Sequence, residues 1–426
     1  FLAYADFDGT FHQDGHGDQL VKTWAPHLRD WREGDPTWGE GRGKAIIGAL
    51  NYLAAKGLNA VSFLTLNIAG DDKNVFPYVD YDTFDRFDVS KLDQWAIVFE
   101  HADHLGIFLH FKTQEAENQG LLDGGALGAL RRLYYRELIA RFGHHLALNW
   151  NMGEEIGEWQ PNPVTPPQYT HQRLAMAEYF HQHDPYGHHR VIHNGNWFDD
   201  LYGPASHYTG ASLQTDRPDF SRVHGQVLRI LEESARAGKL WAVAVDEPGD
   251  AQLALVPDAI DPAHDNARQN ALWGAFLAGA WGLEWYFGYK HEHSDLTCQD
   301  WRSRDRFWDQ CRIALEFFQS HDLPYPRMQS HDELIVDNPP TRGSGAGDYC
   351  FAAPGEAYIV YIKHGDAVAL TLEPGEYDLQ WYNPRTGGPM QTGSVTRIDT
   401  ASRGAHSLGE PPAADGRDWV ALLTRR

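Results

Sequence analysis

One pattern constrains this chain above all others: an amphipathic helix, a glycine, then a short apolar strand, repeated along the first three quarters of the sequence. Between Gly43 and Ala55, the residues Ile46, Ile47, Leu50, Leu53 and Ala54 share one helical face. Gly57 can close that helix in a left-handed conformation, and residues 59–66 then read as a buried strand. Ser90 is expected to cap the next helix, which buries Leu92, Trp95, Ala96 and Phe99 and ends at Gly106, before a strand at 107–111. A third helix carries Leu130, Leu133, Tyr134, Leu138 and Phe142, ends at Gly143, and precedes a strand at 145–150. A fourth ends near Ala237 and Gly238 and leads into 240–245. Weaker strands at 190–193, 210–214 and 283–287, with 1–7 as the first, bring the expected count to eight.

Strands buried on both faces and alternating with helices make a parallel sheet. Eight such units in roughly 320 residues fit an α/β (β/α)8 TIM barrel. The rival, an open doubly wound sheet, normally binds a nucleotide through a glycine-rich first turn. Neither G-x-G-x-x-G nor G-x-x-x-x-G-K-[ST] follows a strand here. Past Pro324 the pattern changes. Residues 338–347 are rich in turn formers, and short alternating strands follow at 357–362, 367–372, 377–382 and 419–423. Two domains are expected: a barrel over 1–325 and a small all-β sandwich over 330–426.

The formal charge is −23, from 36 basic and 59 acidic residues. So acidic a chain does not bind nucleic acid or an anionic membrane through its general field. No run of about 18 apolar residues is present, which excludes a transmembrane helix. Aromatic residues make up 13%, with 15 Trp. Their flat apolar faces and polar edges suit stacking against sugar rings, although any one ring is more often core. Three cysteines are no disulfide framework. Cys298 and Cys311 are close enough in sequence to pair, or to remain buried thiols.

A barrel of this type carries its chemistry at the C-terminal ends of its strands. The polar residues expected there are Lys112, Gln114 and Glu115; Asn151, Glu154 and Glu155; His193, Asn194, Asn196 and Trp197; Ser212 and Gln214; Asp246 and Glu247; and Glu284, Trp285 and Tyr286. Glu155 and Glu247 end apolar strands, where a carboxylate without a role is costly. Two carboxylates facing each other across a barrel mouth can split a glycosidic bond, one protonating the leaving oxygen and the other attacking the anomeric carbon or activating water. Glu154, Asn151, Lys112, Gln114, His193, Asn194, Trp197, Gln214, Trp285 and Tyr286 are the expected substrate contacts. No cofactor and no metal are expected. His291-Glu-His293 lacks a third ligand at a recognised spacing, and Asp71, Asp72, Asp80, Asp82 and Asp85 lack the EF-hand register. No G-x-S-x-G elbow is present.

At these residues a resemblance becomes specific. Trp150-Asn-Met-Gly-Glu-Glu155 resembles the Trp-x-x-Gly-Asn-Glu signature of clan A glycoside hydrolases. The resemblance implies that Glu155 is the acid/base and Glu247 the nucleophile of a retaining double displacement. Glu154 stands where the clan has an Asn that binds the sugar 2-hydroxyl. A broader resemblance rests on Ala5-Asp-Phe-Asp-Gly-Thr10, Leu272-Trp-Gly274, Trp285-Tyr-Phe-Gly-Tyr289, Cys298-Gln-Asp-Trp-Arg-Ser-Arg304 and Trp381-Tyr-Asn-Pro-Arg-Thr-Gly387. These stretches look like bacterial secreted proteins of polysaccharide utilisation with apiosidase-like barrels. Such proteins begin with an N-terminal β-domain of unknown function and end in a so-called "putative collagen-binding" domain. The resemblance implies a plant or algal polysaccharide or oligosaccharide as substrate and a secreted or periplasmic location, with signal peptide and N-terminal domain lying before Phe1. Nothing in 330–426 reads as collagen recognition, and a sandwich buttressing the barrel is expected instead. A carbohydrate-binding protein that has lost catalysis, and a polysaccharide lyase, are the rival readings.

Overall fold

The computed structural model of the chain describes residues 2–9, 21–68, 75–158, 165–195 and 197–426. Its first domain is built on seven parallel strands that neighbour one another in chain order: β1 (Ala60–Leu64), β2 (Phe108–Lys112), β3 (Leu148–Asn151), β4 (His189–Val191), β5 (Gly210–Gln214), β6 (Ala242–Glu247) and β7 (Gly282–Leu283). β4 and β5 are joined by bonds from Thr209 N to Arg190 O and from Ser212 N to Ile192 O. Around the strands lie α1 (Lys44–Ala55), α2 (Val89–His104), α3 (Ala129–Phe142), α4 (Thr170–His183), α5 (Val223–Arg236), α6 (Gly274–Ala278) and α7 (Asp305–Ser320). This is the expected TIM-barrel architecture. No described helix is long and apolar enough to cross a membrane.

Two local expectations are corrected, and an open alternative for the cysteines is decided. Residues 2–7 form no strand; Phe1 lies outside the described residues. Tyr4 makes a single bridge to Lys22, the Asp6 carboxylate accepts from Gly43 N, and Phe7 stacks on Trp38 at 5.3 Å. The apolar run is therefore spent on pinning the chain over the start of α1. The cap of α2 is Asp88, which accepts from Lys91 N, while Ser90 donates its hydroxyl to Asp8. Cys298, Cys311 and Cys350 are all buried free thiols, so the Cys298–Cys311 pairing does not form.

The second domain is an antiparallel sheet with an added ribbon. Its strands are β8 (Gln329–Ser330), β9 (Tyr349–Ala353), β10 (Ala357–Ile362), β11 (Ala369–Leu372), β12 (Gly375–Tyr382), β13 (Arg397–Thr400), β14 (Gly404–Ser407) and β15 (Trp419–Arg425). The sheet runs β8-β9-β10-β15-β12-β13, and β11 pairs with β14. β9 and β10 are buried along their whole length, and the pleat explains why. Tyr349, Phe351, Ile359 and Tyr361 join the core of the barrel domain, whereas Cys350, Ala352, Tyr358 and Val360 join a second core shared with Leu370 and Leu372 of the ribbon.

Polar groups lock the two domains together. Arg268 Nε and Nη2 donate to the two oxygens of Asp418 at 2.8 and 2.9 Å, both residues fully buried, and the Tyr361 hydroxyl donates to the same carboxylate. His224 Nε2 meets Asp332 at 2.8 Å, and the Tyr382 hydroxyl donates to Ile313 O. Removing one partner of a buried pair leaves the other charge uncompensated, at about 3–5 kcal/mol. Asp418→Ala is therefore expected to lower unfolding free energy by roughly that amount in urea titrations. A loss below about 1 kcal/mol would place this pair among weak surface-type bridges.

Candidate active site

Strand pleating selects which side chains enter the barrel. In β2, Leu109 and Phe111 pack outward, while His110 and Lys112 point into the lumen. In β3, Trp150 packs outward against Phe180, and Asn149 and Asn151 point inward. Two departures from regular pairing bring consecutive residues to the mouth. The register of β5 and β6 shifts at Leu213/Gln214, and both Asp246 and Glu247 then border the cavity. Past β3, Glu154 N bonds to Gln114 O, Glu154 borders the cavity, and Glu155 takes φ +50°. Left-handed backbone at a residue with a side chain is costly and is typically kept where the surroundings hold it in place. Here Gln214 Nε2 holds the Glu155 carboxylate at 2.7 Å.

Five carboxylates and two cations meet at this mouth. Lys112 Nζ lies 3.0 Å from Glu154, 3.1 Å from Glu284 and 3.7 Å from Asp246. His193 Nδ1 lies 3.1 Å from Asp246, and its Nε2 lies 3.5 Å from Glu247. His110 Nδ1 meets Glu284 at 2.9 Å while its Nε2 faces the Asn151 amide at 3.0 Å, which assigns the ring proton to Nδ1.

Electrostatics follows from these contacts. Burial opposes the charge on Lys112, but Glu154, Glu284 and Asp246 outweigh it and hold the ammonium well above its ordinary range. Burial likewise opposes a charged His193, and Asp246 with Glu247 and Glu154 overcomes it, lifting the imidazole to about 10. Asp246 is held far below the usual carboxylate range, because His193 and Lys112 outweigh its burial. Burial pushes Glu154 upward against the pull of Lys112 and His193. Burial raises Glu247 to about 8, against His193 and with the help of Glu155 and Glu154.

Two sets of potential metal ligands occur among the described residues: His110, Asp246 and Glu284, and Glu154, His193 and Glu247, each with ligand atoms within 4.8 Å of one another. Lys112 Nζ lies within 3.7 Å of members of both sets and pairs with their carboxylates.

The structure brings together six of the residues expected at the site: Lys112, Glu154, Glu155, His193, Gln214 and Glu247. Asn151 lies beneath them as a brace, its carbonyl accepting from Gly153 N and His193 N. Gln114 and Asn194 are corrected: both are fully buried. Gln114 bonds to Met152 O, Gln168 and Arg131, and Asn194 bonds to Arg173 and Trp197 O. Trp285 borders the cavity, and its ring also packs edge-on against Phe307 at 4.5 Å. The Tyr286 hydroxyl donates to Ala251 O, and the Trp197 ring is 53% exposed. Asn196, Asp71 and Asp72 lie outside the described residues. Sequence reasoning passed over His110, although its spacing of two from Lys112 was the available signal, and it named Asp246 and Glu284 without giving them a part.

Residues 332–424 match the profile of a family described as "Putative collagen-binding domain of a collagenase". No curated protein matches the chain. Among solved structures, one described as a glycoside hydrolase aligns over 89% of this chain and 88% of its own, with TM-score 0.67 and 14% identity. A glycoside hydrolase family 5 structure from Bacteroides vulgatus aligns over 90% and 85%, with TM-score 0.67 and 15% identity. An Anoxybacillus α-amylase aligns over 94% of both chains, with TM-score 0.51 and 10% identity. These likenesses show the fold, a TIM-like barrel joined to a C-terminal sheet domain.

The displaced titrations carry a consequence for stability. Glu247 releases its proton later folded than unfolded, so stability falls as pH rises from about 4.5 to 8. His193 contributes stability that is full below its unfolded value near 6.5 and is lost as pH rises through about 10. Urea midpoints are expected to decline from pH 5 to 10. Glu247→Gln is expected to raise the unfolding free energy at pH 8 by a few kcal/mol, at about 1.4 kcal/mol per pKa unit, and an unchanged value would contradict the burial of its charge.

Proposed function

We propose that this protein is a retaining O-glycoside hydrolase acting outside the cytoplasm on a plant or algal polysaccharide or oligosaccharide. The observation that carries the reading is the placement of Glu155 and Glu247 about one residue, Gln214, which pairs with Glu247 in the ladder and holds the Glu155 carboxylate at 2.7 Å. In the first step Glu247 attacks the anomeric carbon while Glu155 donates its proton to the leaving oxygen. In the second, Glu155 takes a proton from water, whose oxygen displaces Glu247 from the sugar. Protonated His193, 3.5 Å from Glu247, favours the ionised nucleophile. Gln214 aims Glu155, and the Lys112-bound Glu154 presents acceptor oxygens to sugar hydroxyls. The exposed Trp197 ring, four residues after His193, offers a stacking face. The barrel-plus-sheet likeness to glycoside hydrolases supports the same class.

Wild type, Glu155→Gln and Glu247→Gln are to be assayed on a panel of cell-wall polysaccharides for new reducing ends and for ultraviolet absorbance. Reducing ends without absorbance are expected, with kcat lowered roughly 10²–10⁴-fold by Glu155→Gln and activity lost in Glu247→Gln. Absorbance from an unsaturated product would make the protein a lyase, and binding without turnover would make it a carbohydrate-binding protein. The pH profile tests the roles. A nucleophile must be ionised, so kcat/KM is expected to rise with pH through about 8. A fall through that range would make Glu247 the proton donor instead.

A further inference from the structure

A second cavity, of about 220 Å³, lies among the loops that follow β5, β6 and β7. It shares no lining residue with the cavity at the carboxylate mouth. Paired backbone stands between the two: Leu255 N bonds to Tyr286 O, and Lys290 N to Gln252 O. Tyr286 borders the mouth, and Leu255 borders the second cavity. The walls are apolar, with Phe220, Leu253 and Val256, and with Ile260 at an exposed rim.

Three of the lining residues hold left-handed backbone: Phe220 at φ +58°, Ala254 at +41° and His264 at +50°. Such conformations are costly for residues with side chains and gather at active sites, ligand clamps and switches. Two of the three rest on Gly249, where a Cβ would lie 2.9 Å from the Phe220 ring and 3.0 Å from Ala254 Cα. The turn that follows Glu247 therefore packs directly against the wall of this cavity.

One polar group in the wall is left over. His264 is 1% exposed and borders the cavity. Its Nε2 meets the Asp258 carboxylate at 2.8 Å, and a carboxylate accepts, so Nε2 carries the proton. In the neutral ring Nδ1 is then an acceptor, and it has no hydrogen-bond partner among the described residues. An unpaired buried acceptor costs free energy that a ligand hydroxyl recovers. Asp261, also in the wall, already uses Oδ1 to accept from Ala263 N and His264 N.

Volume and chemistry select the ligand. An apolar cavity of about 150 Å³ accommodates a benzene ring. The larger space here leaves room for one ring and a substituent. Apolar walls with one free acceptor suit a ring that carries a single O–H. They suit a sugar poorly, because most of its hydroxyls would be buried unpaired.

We propose that this cavity binds a phenol-type ring, which packs against Phe220, Leu253 and Val256 while its hydroxyl donates to His264 Nδ1. The ring arrives either as a free molecule or as the aglycone of a glycoside, and only the second source rests on the hydrolase reading.

The test is a ligand-observed NMR titration of the full chain with phenol, toluene and glucose. Toluene matches phenol in shape but has no O–H. Phenol is expected to bind with Kd on the order of 1 mM, in keeping with so small a ligand. Toluene is expected to bind more weakly by roughly 5-fold or more. Val256→Trp and Ile260→Trp each fill the cavity and are expected to weaken phenol at least about 10-fold. His264→Asn, whose side chain tolerates left-handed backbone, is expected to abolish the preference over toluene. Unfolding midpoints identify which variants fold, and Ile260, at the rim, is the safer of the two filling positions. No phenol binding up to about 10 mM would overturn the proposal. So would equal affinity for toluene, displacement of phenol by glucose, or unchanged phenol binding in a folded filling variant. A phenyl glycoside, tested on Glu247→Gln to prevent turnover, separates the sources: displacement of phenol assigns the ring to an aglycone, and no displacement assigns it to a free ligand.

Discussion

The Lys112 ammonium holds the mouth of this barrel together. Desolvating one ammonium costs several kcal/mol, and only close, well-directed anions offset that. Glu154, Glu284 and Asp246 supply them from the ends of three different strands, so one cation ties the tip of β2 to those of β3, β6 and β7. The second cation, His193, is charged for the same reason and passes the ordering on to Glu247. Without these two charges the five carboxylates would repel one another and drive apart the loops that carry them. The geometry of the candidate pair is thus inherited from groups that need not touch the reacting bond.

Much of the barrel was legible because burial on both faces leaves uninterrupted apolar runs, as at 107–111 and 240–245. The run at 1–7 has the same composition but packs over α1, and periodicity cannot tell a strand from an apolar cap. Glu155 and Glu247 were legible as polar ends of apolar strands. Gln114 and Asn194 look identical by that criterion, yet their amides are consumed by Arg131, Gln168 and Arg173. What separates a ligand from a brace is the partner across the fold, which a single sequence does not print. The irregular register of β5 and β6 was equally hidden, and it is what admits Asp246 beside Glu247. The aromatic count misled in part: Trp95, Trp150, Trp241, Trp273 and Trp381 are all fully buried.

The C-terminal sheet domain is better described by its pleat than by the name of the profile it matches. One face of β9 and β10 belongs to the barrel's core and the other to its own. Trp273 stacks on Tyr361 across the boundary at 5.3 Å, and Arg268 reaches Asp418 from the segment that precedes α6. The support therefore bears on the part of the barrel that leads into β7, the strand preceding Glu284.

This shared core also orders events during synthesis. A domain emerging first from the ribosome usually folds first and alone. Here the side chains that cover Trp273 and pair with Arg268 are translated after the barrel. While the nascent chain is still growing, the barrel carries an uncovered aromatic surface and a guanidinium without its carboxylate. The vulnerable interval thus lasts until β15 is released, and a ribosome stalled between the two domains would expose the barrel to aggregation or proteolysis.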